Sequence, residues 1–309
     1  MERNGPRFLG TLAVALIVML FGGAGCRRER KDAERAGVPG RRYGRIVSLS
    51  PSITETLFAL GLGGRVAGVT RFCVWPPEAR AKPRVGGFID PNYEAIIALR
   101  PDLVILLPSN EQAQKYLSGL GIETLTVKNE PVVEIFRTVM VIGRACGAER
   151  AADSLAASIR SRMRAIEERT AGLARPRVLV SVGRNAGTGA TGPVYVAGPK
   201  TYYDELVALA GGENAYRGAA IAYPELSSEG IIRLDPDIII DIIPDLSQRG
   251  VSEQAALGDW KALWDARAVK RGRVHLIAAD YAAVPGPRFI RTLEDMARLI
   301  HPEVSWERR

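Results

Sequence analysis

Glu94-Ala95-Ile96-Ile97-Ala98-Leu99-Arg100-Pro101-Asp102-Leu103-Val104-Ile105 reads as a short helix, a Pro-Asp break and a buried strand. Proline cannot continue a helix, and the all-apolar run after it suits a strand covered on both faces. Farther along, Glu229-Gly230-Ile231-Ile232-Arg233-Leu234-Asp235-Pro236-Asp237-Ile238-Ile239-Ile240 repeats the pattern without a gap; Glu, Ile, Ile, Leu, Pro, Asp and Ile coincide. A second echo, Leu57-Phe58-Ala59-Leu60-Gly61 against Leu206-Val207-Ala208-Leu209-Ala210, lies upstream of the first in both halves. Two echoes in one order predict two related α/β lobes with loops of different length between their elements.

The remaining elements fit that frame. Ile46, Val47 and Leu49 suit a buried strand, and Ser52-Ile53-Thr54-Glu55 has the form of a capping box at a helix start. Gly61 is placed to end that helix, and Val66-Ala67-Gly68-Val69 is a second short strand. From about Glu149 to Thr170, Leu155, Ile159, Met163 and Ile166 recur at helical spacing, with Arg160, Arg162, Arg164, Glu167 and Glu168 on other faces. Such a helix is about 33 Å long. It serves either as a strut along both lobes or as a surface helix of one.

At 309 residues the chain has room for about two domains. Its 47% apolar and 25% charged residues are ordinary for a folded protein. The net charge of +8 is unevenly placed: residues 27–42 carry +4 and residues 43–309 only +3. This distribution fits a solvated basic tether and not a nucleic-acid groove. Arg3 and Arg7 precede an apolar core from Leu9 to Phe21, too short to span a bilayer but right for a signal-peptide core. Gly22, Gly23, Ala24 and Gly25 then lead to Cys26. The segment 1–26 resembles a bacterial lipoprotein signal in which Cys26 becomes the lipidated first residue, although that pattern prefers a larger aliphatic residue at Gly23. Residues 27–42 read as a flexible tether. Cys73 and Cys146 remain, able to pair or to stay as buried thiols.

Catalytic and metal signatures are missing. Gly61-Leu62-Gly63-Gly64 follows a helix instead of opening one, so it is no dinucleotide loop. There is no phosphate-binding Gly-x-x-x-x-Gly-Lys-Ser/Thr run, no His-Glu-x-x-His and no Gly-x-Ser-x-Gly elbow. The two histidines are His275, read as a strand residue, and His301 near the end. A metal-ion site would need more such ligands from both lobes. These absences argue against a catalytic role and against a resident cofactor.

Arg45-Ile46-Val47-Ser48-Leu49-Ser50-Pro51-Ser52-Ile53-Thr54-Glu55 resembles the opening of the helical-backbone (class III) substrate-binding proteins of ABC importers, the receptors for cobalamin, ferric siderophores and haem. Val85-Gly86-Gly87-Phe88, Asn92-Tyr93-Glu94, Pro101-Asp102-Leu103-Val104, Gly211-Gly212-Glu213-Asn214, Pro285-Gly286-Pro287-Arg288 and His301-Pro302-Glu303 continue the resemblance from about Arg45 to Glu303. Phe72-Cys73-Val74-Trp75-Pro76-Pro77 and Tyr223-Pro224-Glu225-Leu226-Ser227-Ser228-Glu229 are most similar to loops of the cobalamin receptors. Val74 and Leu107 depart from them, standing where relatives place a polar residue and an aromatic.

The resemblance implies two Rossmann-like α/β lobes, residues 43–147 and 173–309, joined by one rigid helix at 148–172, with ligand in the cleft between them. It implies an exported, lipid-anchored monomer in the periplasm or at the cell surface, delivering cobalamin or a related corrinoid to a permease dimer with its ATPase subunits. Ferric siderophore or haem is the alternative ligand. By the same resemblance Phe72, Trp75, Phe88, Tyr195, Tyr223, Asp280 and Tyr281 line the cleft. Arg288 lies beside it, unless it starts a helix after Pro287 and pairs with a carboxylate. Aromatic walls supply contact area and phenols supply hydrogen bonds, though each ring can equally pack under its loop. Tyr223 or Tyr281 could serve as a haem axial ligand, and Arg71, Arg184 and Arg288 could form the cationic cluster a siderophore wants. Glu94 and Glu229, matched in the two repeats, are implied as docking anions for permease arginines; the plainer role is favourable placement at a helix N-terminus.

Overall fold

The computed structural model describes residues 43–218 and 221–306. The expected signal peptide, Cys26 and the expected 27–42 tether lie outside the described residues. Among the described residues no helix is long and apolar enough to cross a membrane.

Two separate sheets form. In the first, β1 (Ile46–Ser48), β2 (Val66–Val69), β3 (Leu103–Leu106) and β4 (Thr124–Thr126) run parallel in the order β2-β1-β3-β4. Helices α1 (Pro51–Ala59), α2 (Tyr93–Ala98) and α3 (Glu111–Gly119) complete this lobe. The second sheet has the order β10-β9-β5-β6-β8, with β7 paired to β5. Its strands are β5 (Arg177–Gly183), β6 (Val194–Val196), β7 (Glu213–Asn214), β8 (Glu225–Leu226), β9 (Ile238–Ile242) and β10 (Val274–Ile277). β6 is antiparallel to both of its neighbours, so this sheet is mixed.

The long repeat has the same structure twice. Asn92 caps α2 by accepting the Ala95 N–H, and Ser227 caps α7 (Ser228–Leu234) by accepting the Gly230 N–H. Each cap satisfies a backbone donor that the first turn cannot. Arg100 and Asp235, each ahead of the proline, both sit at positive φ, 44° and 46°. Asp102 then accepts the Arg45 N–H at 3.0 Å, and Asp237 accepts the Arg177 N–H at 3.0 Å, so each aspartate holds the start of the neighbouring parallel strand. The shorter echo needs correcting by one residue: Gly61 and Gly211 are the equivalent left-handed positions, φ 74° and 82°, after α1 and after α6 (Tyr202–Leu209). The matching bonds run from Leu62 N–H to Leu57 C=O and from Gly212 N–H to Val207 C=O, each 2.9 Å. Side-chain similarity had aligned the leucines, whereas the backbone aligns the glycines.

The capping-box reading fails. α1 begins at Pro51 with Ser50 as its cap residue, and the Ser52 hydroxyl meets Ser50 Oγ at 2.9 Å. Glu55 is turned away to another partner, described below.

Between the sheets lie α4 (Val132–Cys146) and α5 (Glu149–Thr170), turning at Gly147. Ala152 of α5 packs in the first lobe's core, whereas Ile159 and Ile166 pack in the second lobe's. α4 crosses as well: Val132 and Ile135 belong to the second core, Val139, Ile142 and Cys146 to the first. The Val132 N–H also donates to Glu205 of α6 at 2.7 Å. The lobes are thus bridged by a helix pair whose ends are embedded in opposite cores, a link that resists wide hinge motion. Cys73 and Cys146 are free and buried in the first core. Burial pushes the Cys146 thiol up to about 11. Helices α8 (Glu253–Asp259), α9 (Arg267–Lys270) and α10 (Phe289–Ile300) finish the second lobe. The buried His301 near the chain end bonds Glu303 and the Gly211 carbonyl, a structural closure.

Candidate functional site

A cavity of about 440 Å³ opens at the seam. Its first-lobe wall comes from loops at the carboxyl ends of all four parallel strands: Ser50 and Ser52 after β1, Arg71 and Phe72 after β2, Leu107 after β3, Asn129 after β4. That is where parallel α/β sheets present ligand-binding groups, because the strand order leaves a crevice there. Phe88 and Ile89 add an apolar lip beside the charged Asp90, and the second lobe contributes Ala283, Val284 and Pro285, downstream of β10.

Local structure explains the placement. Asn110 donates to the Phe88 carbonyl at 2.7 Å and accepts from the Leu107 N–H, tying two cavity loops together. Phe88 leans on the first lobe's core, whereas Phe72 stays 52% exposed with the Arg71 guanidinium 5.0 Å over its ring. Arg71 forks onto Asp90 and so holds that carboxyl below its ordinary value. Leu107 replaces an expected aromatic and keeps this part of the wall aliphatic.

Of the residues read from the sequence, Phe72 and Phe88 meet on the cavity wall. Trp75, Asp280, Tyr281 and Arg288 meet each other instead. Arg288, the N-cap residue of α10, donates to Glu55 at 2.6 and 2.9 Å and to Asp280 at 2.9 and 3.1 Å. Its guanidinium lies 4.7 Å from the Trp75 ring and 5.7 Å from Tyr281. The Tyr281 hydroxyl donates to Asp295 at 2.6 Å. Glu55 was missed as a site residue because its helix-start position offered a complete local explanation. Burial raises its carboxyl above the ordinary value, with the Arg288 hydrogen bonds and charge pulling the other way.

Tyr195 lies on β6 opposite Glu225, whose carboxylate pushes the phenol up. Tyr223 is part-exposed, its phenol pushed up to about 12 by burial and the Glu130 charge. Glu94 and Glu229 stand exposed in the first turns of α2 and α7, and neither has an ion-pair partner among the described residues. The cationic cluster does not assemble. Arg71 is engaged by Asp90 and Arg288 by Glu55, while Arg184 is buried within the second lobe, paired at 2.7 Å with both Asp241 and Asp259. His275 is in β10, as read, with its imidazole pushed down by burial and by Arg273. Among the described residues no group of His, Cys, Asp or Glu is arranged to hold a metal ion.

Two α/β lobes, a helix-pair bridge and a loop-lined seam cavity define a two-lobe ligand receptor. Residues 46–281 match the family described as periplasmic binding protein. An uncharacterized ABC transporter substrate-binding lipoprotein of Bacillus subtilis is 31% identical over 273 residues, 85% of this chain and 82% of its own length. A cobalamin-binding protein of Halobacterium salinarum is 28% identical over 266 residues, 83% of this chain and 69% of its own. Among solved structures, a periplasmic haem-binding protein from Roseiflexus, in its apo form, superposes with TM-score 0.71 at 27% identity, covering 84% of this chain and 98% of that one. The chain belongs to the periplasmic binding proteins, as an ABC-transporter substrate-binding protein. Such proteins serve transport together with a permease and its ATPase and are not enzymes.

Proposed function

We propose that the chain captures cobalamin or a related corrinoid in the seam cavity and delivers it to its permease. The observation that carries this is the wall itself. Phe72, Phe88, Ile89 and Leu107 offer apolar faces to a flat macrocycle, while Ser50, Ser52 and Asn129 offer hydrogen bonds to peripheral amides. The name of the Halobacterium relative points the same way. Glu94 and Glu229 would meet arginines on the two permease subunits, where charge steers and orients docking. The acylated Cys26 would hold a monomeric receptor at the membrane outside the cytoplasm, in keeping with the Bacillus relative's description as a lipoprotein.

Haem is the second reading. It is favoured by the likeness to the Roseiflexus haem protein; Tyr223, its phenol pushed up by burial and Glu130, would have to lose its proton to ligate iron. Siderophore binding through an arginine cluster loses its basis with Arg184 sealed inside the second lobe.

The test is a titration of intrinsic tryptophan fluorescence with cyanocobalamin, haem, and ferric hydroxamate and catecholate chelates. Saturating quench by micromolar cyanocobalamin is the expected result. No response to it beside saturation by another chelate overturns the corrinoid reading. For the anchor, Cys26→Ala should abolish palmitate labelling and detergent partitioning; unchanged partitioning refutes acylation there.

A further inference from the structure

We propose that Glu55, Trp75, Gly286 and Arg288 form a clasp across the seam that fixes how far the lobes stand apart, and that Arg288 is a positioning residue instead of a ligand contact.

Three separate contacts cross the seam at this point. The first is ionic: the Arg288 fork from the second lobe closes on Glu55 of α1, their side chains only 11% and 3% exposed. A planar guanidinium meeting a carboxylate through two parallel bonds defines both distance and angle. Asp280 takes two more donors, so four of the five guanidinium N–H groups are bonded within the protein. The second is aromatic: Trp75, from the loop after β2, stacks on Arg288 and has Arg291 of α10 at 5.9 Å. A cation held over a ring adds attraction that depends on face-on placement.

The third is steric. Gly286 lies so close to α1 that a Cβ there would stand 3.2 Å from Ser52 Cα and 3.4 Å from Glu55 Oε2. This is backbone-to-helix approach between lobes, available to glycine because it has no side chain. Pro285-Gly286-Pro287-Arg288 thus acts as one unit: Pro285 lines the cavity, Gly286 abuts α1, and Arg288 grips Glu55. The clasp sits beside the cavity, since Ser52 belongs to both. Its geometry therefore sets the cavity's width. The inference does not depend on which ligand is carried.

Amide hydrogen exchange on the ligand-free full-length chain tests it. The reporters are the Gly286 and Phe289 N–H groups, bonded to the Val284 and Gly286 carbonyls, and Thr54 N–H, bonded to Ser50. Glu55→Gln and Arg288→Gln should each speed exchange of segments 50–55 and 283–289 by about tenfold, with β3 and β9 unchanged, because opening is local. The double variant should add little to either single, and Arg288→Lys, which keeps the charge but loses the fork, should fall between. Gly286→Ala leaves every charge in place and should open the same segments; it carries the test if a charge variant also loses β3 and β9 protection. Unchanged seam exchange in the single variants, or effects that add fully in the double, overturns the clasp. So does Arg288→Gln weakening cyanocobalamin or haem binding while seam exchange stays at the wild-type rate, which would make Arg288 a ligand contact. Failure of every chelate to bind would instead count against the proposed function and leave the exchange result standing.

Discussion

Phe72 gives the sharpest measure of whether ligand lies on the cavity wall. It lines the cavity with 52% of its surface exposed. An aromatic side chain offers about 200 Å², so about 100 Å² is open to be covered by a flat ligand. At about 25 cal/mol per Å² that coverage contributes roughly 2.5 kcal/mol. Phe72→Ala keeps the β-carbon, so the expected loss is about 2 kcal/mol, or roughly 30-fold in Kd. Because the ring is already half in water, unfolding free energy should shift by no more than about 0.5 kcal/mol. Phe72→Leu should recover most of the affinity by restoring apolar area. The assay is fluorescence titration with whichever chelate saturates the wild-type protein, paired with urea denaturation of each variant. A Kd within about threefold of wild type, in a variant of normal stability, would show that ligand does not lie on this wall and would refute the area argument.

Three further outcomes follow from the geometry. Glu94→Lys with Glu229→Lys should abolish stimulation of the permease ATPase while leaving ligand Kd unchanged, since both side chains are exposed at the helix starts; full stimulation by the double variant refutes docking through them. Arg184→Met should cost about 3–5 kcal/mol in urea denaturation, because Asp241 and Asp259 are left buried and uncompensated; a loss under about 1 kcal/mol refutes the buried-charge account. Glu55 sets a pH dependence: its folded-state carboxyl is raised above the ordinary 4.5, so the folded protein holds that proton more tightly than the unfolded chain. Wild type should gain stability relative to Glu55→Gln as pH falls through the raised value toward 4.5. A gain on raising pH, read from melting temperatures of the pair, would reverse the sign and show that Arg288 outweighs burial.

The sequence was most readable where backbone need and side-chain pattern coincide. The Pro-Asp break is such a place, because each aspartate caps a neighbouring strand and each preceding residue takes positive φ. The 22 residues of α5 match the apolar spacing from Glu149 to Thr170 for the same reason: one face must stay buried along its length. The role of α4 as a second bridge was hidden, because a helix that changes cores halfway keeps a single apolar face. Phe72 and Phe88 reached the cavity because loops after parallel strands have few other places to go. Glu55 was illegible because its partner is 233 positions away.

Trp75, Asp280, Tyr281 and Arg288 look like ligand residues in sequence for a physical reason. Aromatic and charged side chains on facing loops suit a guest between two lobes, and equally suit one lobe holding the other. The structure separates these uses by partner. Phe72 has open surface, whereas four of the five Arg288 donors and the Tyr281 hydroxyl already have acceptors within the protein. The Glu55–Arg288 pair takes two charges out of water, a cost that offsets much of their mutual attraction. A buried pair of that kind fixes geometry more than it adds free energy. Asp102 and Asp237 bind the capped helices α2 and α7, which carry Glu94 and Glu229, to strands β1 and β5. With α4 and α5 anchored in both cores, the lobes are tied once by the helix pair and again by the clasp.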